Sequence, residues 1–188
     1  MQALLVSFLT VFLGEIGDKT QLLAIMLATR FREPWPIVAG ILAATLANHA
    51  AAALAGQWIH RVLPAEALVW IVGLSFIAVG IWALRPDTAE EHEGQRPGQS
   101  VFWITAVSFF IAEIGDKTQI ATTVLAAKYA SLVAVVTGTT LGMLAADVPV
   151  IFLGARFAQR LPLKPIRWIA ASLFIGLGIA TIAMQIFR

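Results

Sequence analysis

The apolar residues of this chain are gathered into six long blocks, at roughly 2–29, 36–60, 66–84, 101–127, 131–157 and 166–187. Each is near or above the roughly 18 to 20 residues that carry a helix across a bilayer. Lipid offers a backbone no hydrogen-bond partners, so such blocks must form helices. A soluble alternative, a bundle of buried helices, needs a polar coat. Of the 188 residues 59% are hydrophobic and only 13% charged, against about 25% charged in an ordinary soluble domain. The expected fold is therefore all-α and integral to the membrane, with six transmembrane helices. No basic region precedes the first apolar run, so no cleavable signal peptide is expected.

Short polar joints separate the blocks, and the one longer hydrophilic stretch, Arg85 to Ser100, reads as a linker rich in glutamate, proline and glycine. It divides two similar halves. Glu15–Ile16–Gly17–Asp18–Lys19–Thr20–Gln21 recurs without change as Glu113–Ile114–Gly115–Asp116–Lys117–Thr118–Gln119, 98 places on. The same ungapped shift lays Phe12 on Phe110, Gly40 on Gly138, Gly56 on Gly154, Pro64 on Pro162, Phe76 on Phe174 and Gly80 on Gly178. The expected organisation is a first repeat at 1–84, a cytoplasmic linker at 85–100 and a second repeat at 101–188. Three spans per repeat is an odd number, so the second copy enters the membrane from the opposite face. Transporters with inverted repeats place substrate and ion sites near the midplane, where the repeats meet.

Basic residues predict the orientation. Arg30, Arg32, Arg85, Arg96, Arg156, Arg160, Lys164 and Arg167 follow the odd-numbered spans, while Arg61, Lys128 and Arg188 are on the other side. The positive-inside rule puts the first group in the cytoplasm and both termini outside. Trp35, Trp58, Trp70, Trp82, Trp103 and Trp168 fall near span ends, where indole rings anchor at the interface. Pro149 is expected to kink the fifth span.

The heptapeptide places Glu15, Asp18 and Lys19 inside the first span and Glu113, Asp116 and Lys117 inside the fourth. Six unpaired charges at that depth would cost on the order of 15 to 20 kcal/mol. On a continuous helix, residues three and four apart share a face, so the three charges of each copy project together and Gln21 or Gln119 extends the polar stripe. Gly17 and Gly115 allow close packing, or a loosened helix that offers carbonyl groups to an ion. Ion pairs between Glu15 and Lys19 and between Glu113 and Lys117 would explain one acid per copy and leave Asp18 and Asp116 unexplained.

Four carboxylates and two lysines, all ionised, carry a formal charge of −2, which one divalent cation or two protons neutralise. The chain has no cysteine, so the ligands are hard oxygens that favour Mg²⁺, Ca²⁺ or Mn²⁺. Competition of protons with one cation for the same carboxylates is the physical basis of antiport. Glu15, Asp18, Glu113 and Asp116 are thus the expected metal ligands. Thr20 and Thr118 are expected to lend hydroxyls or to bond back to their own helices. Under the repeat shift His49 in span two aligns with Asp147, a fifth intramembrane acid. Asp147 is expected to relay protons, to ligate the ion or to partner Lys19 or Lys117. His49 is expected to pack or gate the bundle, with a titration range that also suits a proton relay.

The two copies of E-x-G-D-K-T, each opening a three-helix half, resemble the Gdt/MneA-type cation/proton exchanger family over essentially the whole chain. That resemblance implies a secondary transporter exporting Mn²⁺, or alternatively Ca²⁺, in exchange for protons, with the four motif acids as cation site and Lys19, Lys117, Thr20 and Thr118 in support. The small size and the lack of a transit-type segment suit the expectation of a bacterial inner-membrane protein. The expected partners are the divalent ion, protons and the lipid bilayer. No resident cofactor is expected, and no basic patch with interleaved aromatics points to nucleic acid. An enzyme is not expected: HExxH and G-x-S-G motifs are missing, and Glu15 stands where an intramembrane aspartyl protease needs glycine. The rival expectation is an exporter of amino acids or other small organic solutes built on a similar three-plus-three fold.

Overall fold

The computed structural model describes residues 1–84, 100–153 and 163–187. Residues 85–99 of the linker, Arg156 and Arg160, Gly154 and Pro162 of the repeat alignment, and Arg188 lie outside the described residues. Among those described there are eight helices and no strand. They are α1 (Gln2–Glu15), α2 (Lys19–Phe31), α3 (Pro34–Val62), α4 (Ala65–Ala83), α5 (Val101–Glu113), α6 (Lys117–Tyr129), α7 (Leu132–Leu153) and α8 (Leu163–Ile186). Four helices carry stretches long and apolar enough to cross a membrane: α3, α4, α7 and the Trp168–Ile186 part of α8. The chain is an all-α, multi-pass membrane protein.

The first and fourth apolar blocks are not continuous helices. Each is broken inside the heptapeptide, between Glu15 and Lys19 and again between Glu113 and Lys117. This corrects the expectation that the motif charges line one helix face. The physical reason is local: Gly17 and Gly115 take φ of 80° and 73°, a left-handed conformation that glycine adopts without penalty and that ends a right-handed helix. The α2 and α6 helices also stop alike, at Arg32 and Ala130, whose N–H groups donate to Ala28 and Ala126. Pro149 lies inside α7.

At the first crossing of each repeat, packing follows the sequence duplication. α1 lies along α7, as α5 lies along α3. A side chain at Gly40 would meet the Phe102 carbonyl at 2.8 Å and Thr105 Cβ at 2.7 Å; one at Gly138 would meet the Leu4 carbonyl at 2.5 Å and Ser7 Cβ at 2.9 Å. Residues 4 and 7 are the 98-shift equivalents of 102 and 105, so the two crossings are copies of each other. Two apolar clusters fill the interior. One is built on Phe76, Phe174, Val124 and Leu125, the other on Val11, Ile37, Ile41, Phe109 and Met143. Trp35, Trp58, Trp103 and Trp168 are each more than 60% exposed, as residues facing lipid or its interface would be.

Backbone so close to Gly138 leaves no space for a branched side chain. Gly138→Leu is expected to lower stability by about 1–3 kcal/mol through overpacking, whereas Gly176→Ala, with nothing within 4 Å, is expected not to lower it. Thermal unfolding in detergent, followed by tryptophan fluorescence, compares the two.

Candidate metal site

The break is built by the motif itself. Asp18 is the N-cap of α2, and its Oδ1 accepts from the Lys19 N–H at 2.7 Å. Gln21, three residues on, reaches back so that its Oε1 accepts from the Gly17 N–H at 2.9 Å. Asp116 likewise caps α6, with Oδ2 accepting from the Thr118 N–H at 3.1 Å, and Gln119 Oε1 accepts from the Gly115 N–H at 2.8 Å. This resembles a capping box, with an acidic N-cap and a glutamine at the third helical position. Two helix starts in an apolar interior are thereby supplied with acceptors that water cannot provide. Each glutamine also ties its break to the opposite repeat. Gln21 Nε2 donates to the Ala146 carbonyl on α7 at 3.0 Å, and Gln119 Nε2 to Asn48 Oδ1 on α3 at 3.4 Å. The roles of Gln21, Gln119 and Asn48 as braces escaped the reading of the polar stripe, although D-x-x-Q after a glycine is a legible N-cap signal.

The breaks bring the two motifs together. Single carboxylate oxygens of Glu15, Asp18 and Asp116 lie within 4.8 Å of one another, and all three residues are buried. An ion 2.0–2.6 Å from each of three oxygens needs them no more than about 4 to 5 Å apart, so the spacing suits a small divalent cation. Glu113, the fourth expected ligand, is buried beside this trio and not within it. Its Oε2 lies 3.8 Å from His49 Nε2 and accepts from Thr118 Oγ1 at 3.4 Å. Asp147 is fully buried, within electrostatic reach of Glu15, Asp18 and Glu113. His49 and Asp147, which coincide under the repeat shift, thus each attend the motif acids, one as a base and one as a further acid. Thr118 Oγ1 also donates to Asp116 Oδ2 at 3.0 Å, while Thr20 Oγ1 is buried with no hydrogen-bond partner.

The lysines pair across the repeats and not along their own helices. Lys117 Nζ is 2.8 Å from Asp18 Oδ2, and Lys19 Nζ is 3.4 Å from Asp116 Oδ1. The pairing within each motif, Glu15 with Lys19 and Glu113 with Lys117, is not what the geometry adopts, because the break turns each lysine toward the other copy. It leaves both oxygens of Glu15 and both of Asp147 buried without a hydrogen-bond donor. A carboxylate in that condition must take up a cation or a proton. The donor set, carboxylate oxygens with the Thr118 hydroxyl beside them, is one for a hard ion.

A family model described as "Divalent cation/proton antiporter GDT1" matches residues 3–91 and 101–186, nearly the entire chain and in two segments that coincide with the two repeats. The chain belongs to the GDT1 family. It is similar to a "Putative manganese exporter" of Vibrio cholerae serotype O1 (strain ATCC 39541 / Classical Ogawa 395 / O395), 47% identical over 182 residues that cover 96% of this chain and 90% of the relative. No solved structure matches. As a GDT1 member the chain is a secondary transporter of a divalent cation and not an enzyme. The ion is cargo and not a resident cofactor. The rival expectation of an organic-solute exporter is set aside by this membership.

The two cross-repeat ion pairs differ in shielding. The Lys117 side chain is 5% exposed and that of Lys19 is 29% exposed. Removing one partner of a buried pair strands the other charge, at a cost of about 3–5 kcal/mol. Lys117→Met is therefore expected to destabilise the detergent-solubilised protein by about 3 kcal/mol, and Lys19→Met by much less. Chemical denaturation of the two variants side by side measures the difference.

Proposed function

We propose that the chain exports a divalent cation from the cytoplasm in exchange for protons, with Mn²⁺ as the first candidate and Ca²⁺ as the second. The observation that carries this reading is the trio of buried oxygens from Glu15, Asp18 and Asp116, gathered within 4.8 Å from both repeats. Glu113 completes the acidic set from the side of His49, and Asp147 joins it beside Glu15. The name of the Vibrio cholerae relative favours manganese. Carboxylate and hydroxyl donors favour Mn²⁺ and Ca²⁺ over softer ions.

Coupling follows from charge. The carboxylates cannot all stay ionised and unmatched in this apolar interior, so the site is occupied either by the cation or by protons. A carrier that crosses only in a matched state exchanges one for the other. Protons compete for the ligands, so cation affinity falls as pH falls. Exchange is then driven whenever the two faces of the membrane differ in pH.

The proposed topology has six crossings in two inverted repeats, 1–84 and 101–188, joined by a cytoplasmic linker. At 1.5 Å per residue α1 and α5 are each only about 20 Å long, short of the roughly 30 Å hydrocarbon core. Joined end to end through the break, α1 with α2 and α5 with α6 each reach about 40 Å and make one crossing. Both termini then face away from the cytoplasm of an inner-membrane protein, as the basic residues require. Discontinuous helices of this kind place half-helix ends and free carbonyl groups at mid-membrane, where they serve ions.

Transport in proteoliposomes, with Mn²⁺, Ca²⁺ and Mg²⁺ in competition and with or without a pH gradient, tests the proposal. The expected result is gradient-driven Mn²⁺ movement with opposed proton movement, abolished in Glu15→Gln. Because both Glu15 oxygens lack a donor, that variant should retain the thermal stability of the parent. Mn²⁺ flux that ignores the pH gradient and survives Glu15→Gln would reject it.

A further inference from the structure

The two heptapeptides are identical in sequence and unequal in surroundings. Under the 98-residue shift α1 corresponds to α5, α2 to α6 and α4 to α8. α4 packs along α6, and α8 packs along α1. Their equivalents, α8 against α2 and α4 against α5, are reduced to a touch at most among the described residues. The third helix of each repeat therefore covers only one side of the site, the side formed by α1 and α6.

Individual residues record the same imbalance. Val124 and Ala127 on α6 are buried, and Val124 lines the seam with Leu68 and Val72 of α4. Their equivalents on α2, Met26 and Thr29, are exposed. Gly17 at the first break is buried and Gly115 at the second is exposed. Lys117 is sealed while Lys19, its equivalent, is 29% exposed. At the far end of α6, Lys128 Nζ donates to Thr181 Oγ1 of α8 at 2.8 Å and lies over the Phe76 and Tyr129 rings. The equivalent of Lys128 is Arg30, which is exposed and stacks on its neighbour Phe31. The equivalent of Thr181 is Ala83.

α4 and α8 are fastened to each other more tightly than to anything else. Gly73 and Gly178 meet back to back, a side chain at Gly178 striking the Gly73 carbonyl at 2.5 Å, and Gly80 sits on the Ala171 carbonyl. Phe76 packs on Phe174 with ring centroids 6.3 Å apart. Against the rest of the molecule the pair presents mostly smooth apolar contacts, such as the Phe174 ring beside Gly14, where an added Cβ would lie 3.4 Å from it. A unit stiff within itself and smooth outside is suited to rigid-body movement between two packed arrangements.

We propose that the α4/α8 pair is the gate of the transporter, closing the α1/α6 side of the ion site in this structure and leaving the α2/α5 side open. In the alternate state the pair docks on α2 and α5, covers Met26 and Thr29, and brings Arg30 to Ala83 as Lys128 is now brought to Thr181. The Lys128–Thr181 bond is the latch of the present state. The missing hydroxyl at Ala83 makes the two states unequal. The inference rests on the transport reading, and in the proposed orientation the open side is the cytoplasmic one, where an exporter loads.

The chain contains no cysteine, so paired cysteines report without background. K128C/T181C and R30C/A83C, each joined by a short bis-methanethiosulfonate linker in proteoliposomes, trap the two arrangements. The expected result is that K128C/T181C links in the absence of cation, that R30C/A83C links only during turnover, and that each link abolishes Mn²⁺ exchange until reductant restores it. Sustained exchange with K128C/T181C linked, or no R30C/A83C link during turnover, overturns the gate. Should an unlinked pair be inactive, labelling of single cysteines by a maleimide decides: under a cation gradient M26C must become protected as V124C becomes reactive, and unchanged rates overturn it. Mn²⁺ exchange by the parent chain, measured in the same vesicles, reports on the transport reading separately.

Discussion

A carboxylate held away from water has to be matched by a cation, a proton or a hydrogen-bond donor, and five of them are gathered in the interior among the described residues. Glu15, Asp18, Glu113, Asp116 and Asp147 are all buried. Two are matched by lysines from the opposite repeat and one is flanked by His49 and Thr118. The rest are left with oxygens that no donor reaches. Such an arrangement is costly if its purpose is only stability, since a well-packed apolar interior would do as well. It becomes reasonable if the unmatched charge is the means by which an ion is taken up and given off.

Everything around the acids serves to keep them there. The helix must break to present two N-terminal caps and two C-terminal ends at the same depth, and glycine at positive φ makes the break. The glutamines brace each break against α7 or α3. Glycines at the crossings let α1 approach α7 and α5 approach α3 closely enough for the two motifs to meet. The heptapeptide is thus a structural device and a ligand set at once: Asp18 and Asp116 cap helices with one oxygen and hold a lysine from the other copy with the second.

Much of this was legible in the sequence. Apolar block length gave the membrane and the helices, and the repeated heptapeptide gave the duplication and the candidate ligands. The helix breaks were foreseen only as one alternative, the loosened helix that Gly17 and Gly115 allow, because the apolar pattern runs straight through Ile16 and Ile114 and periodicity alone cannot tell one helix from two. The signal that marks them is the glycine, the N-cap aspartate and the glutamine three residues later. The exchange of lysines between the motifs was out of reach, since it depends on how the broken ends face each other in space. So was the unequal covering of the two sides, because two identical strings of residues cannot predict their own difference.

The central claim is that one ion is held jointly by both repeats and not one ion by each. Titrating the purified protein with Mn²⁺ and counting bound ions, by the loss of the free-ion electron paramagnetic resonance signal, tests it most directly. The expected result is one Mn²⁺ per chain, with Asp18→Asn and Asp116→Asn each abolishing binding completely. Two ions per chain, with each substitution removing one and sparing the other, would contradict it.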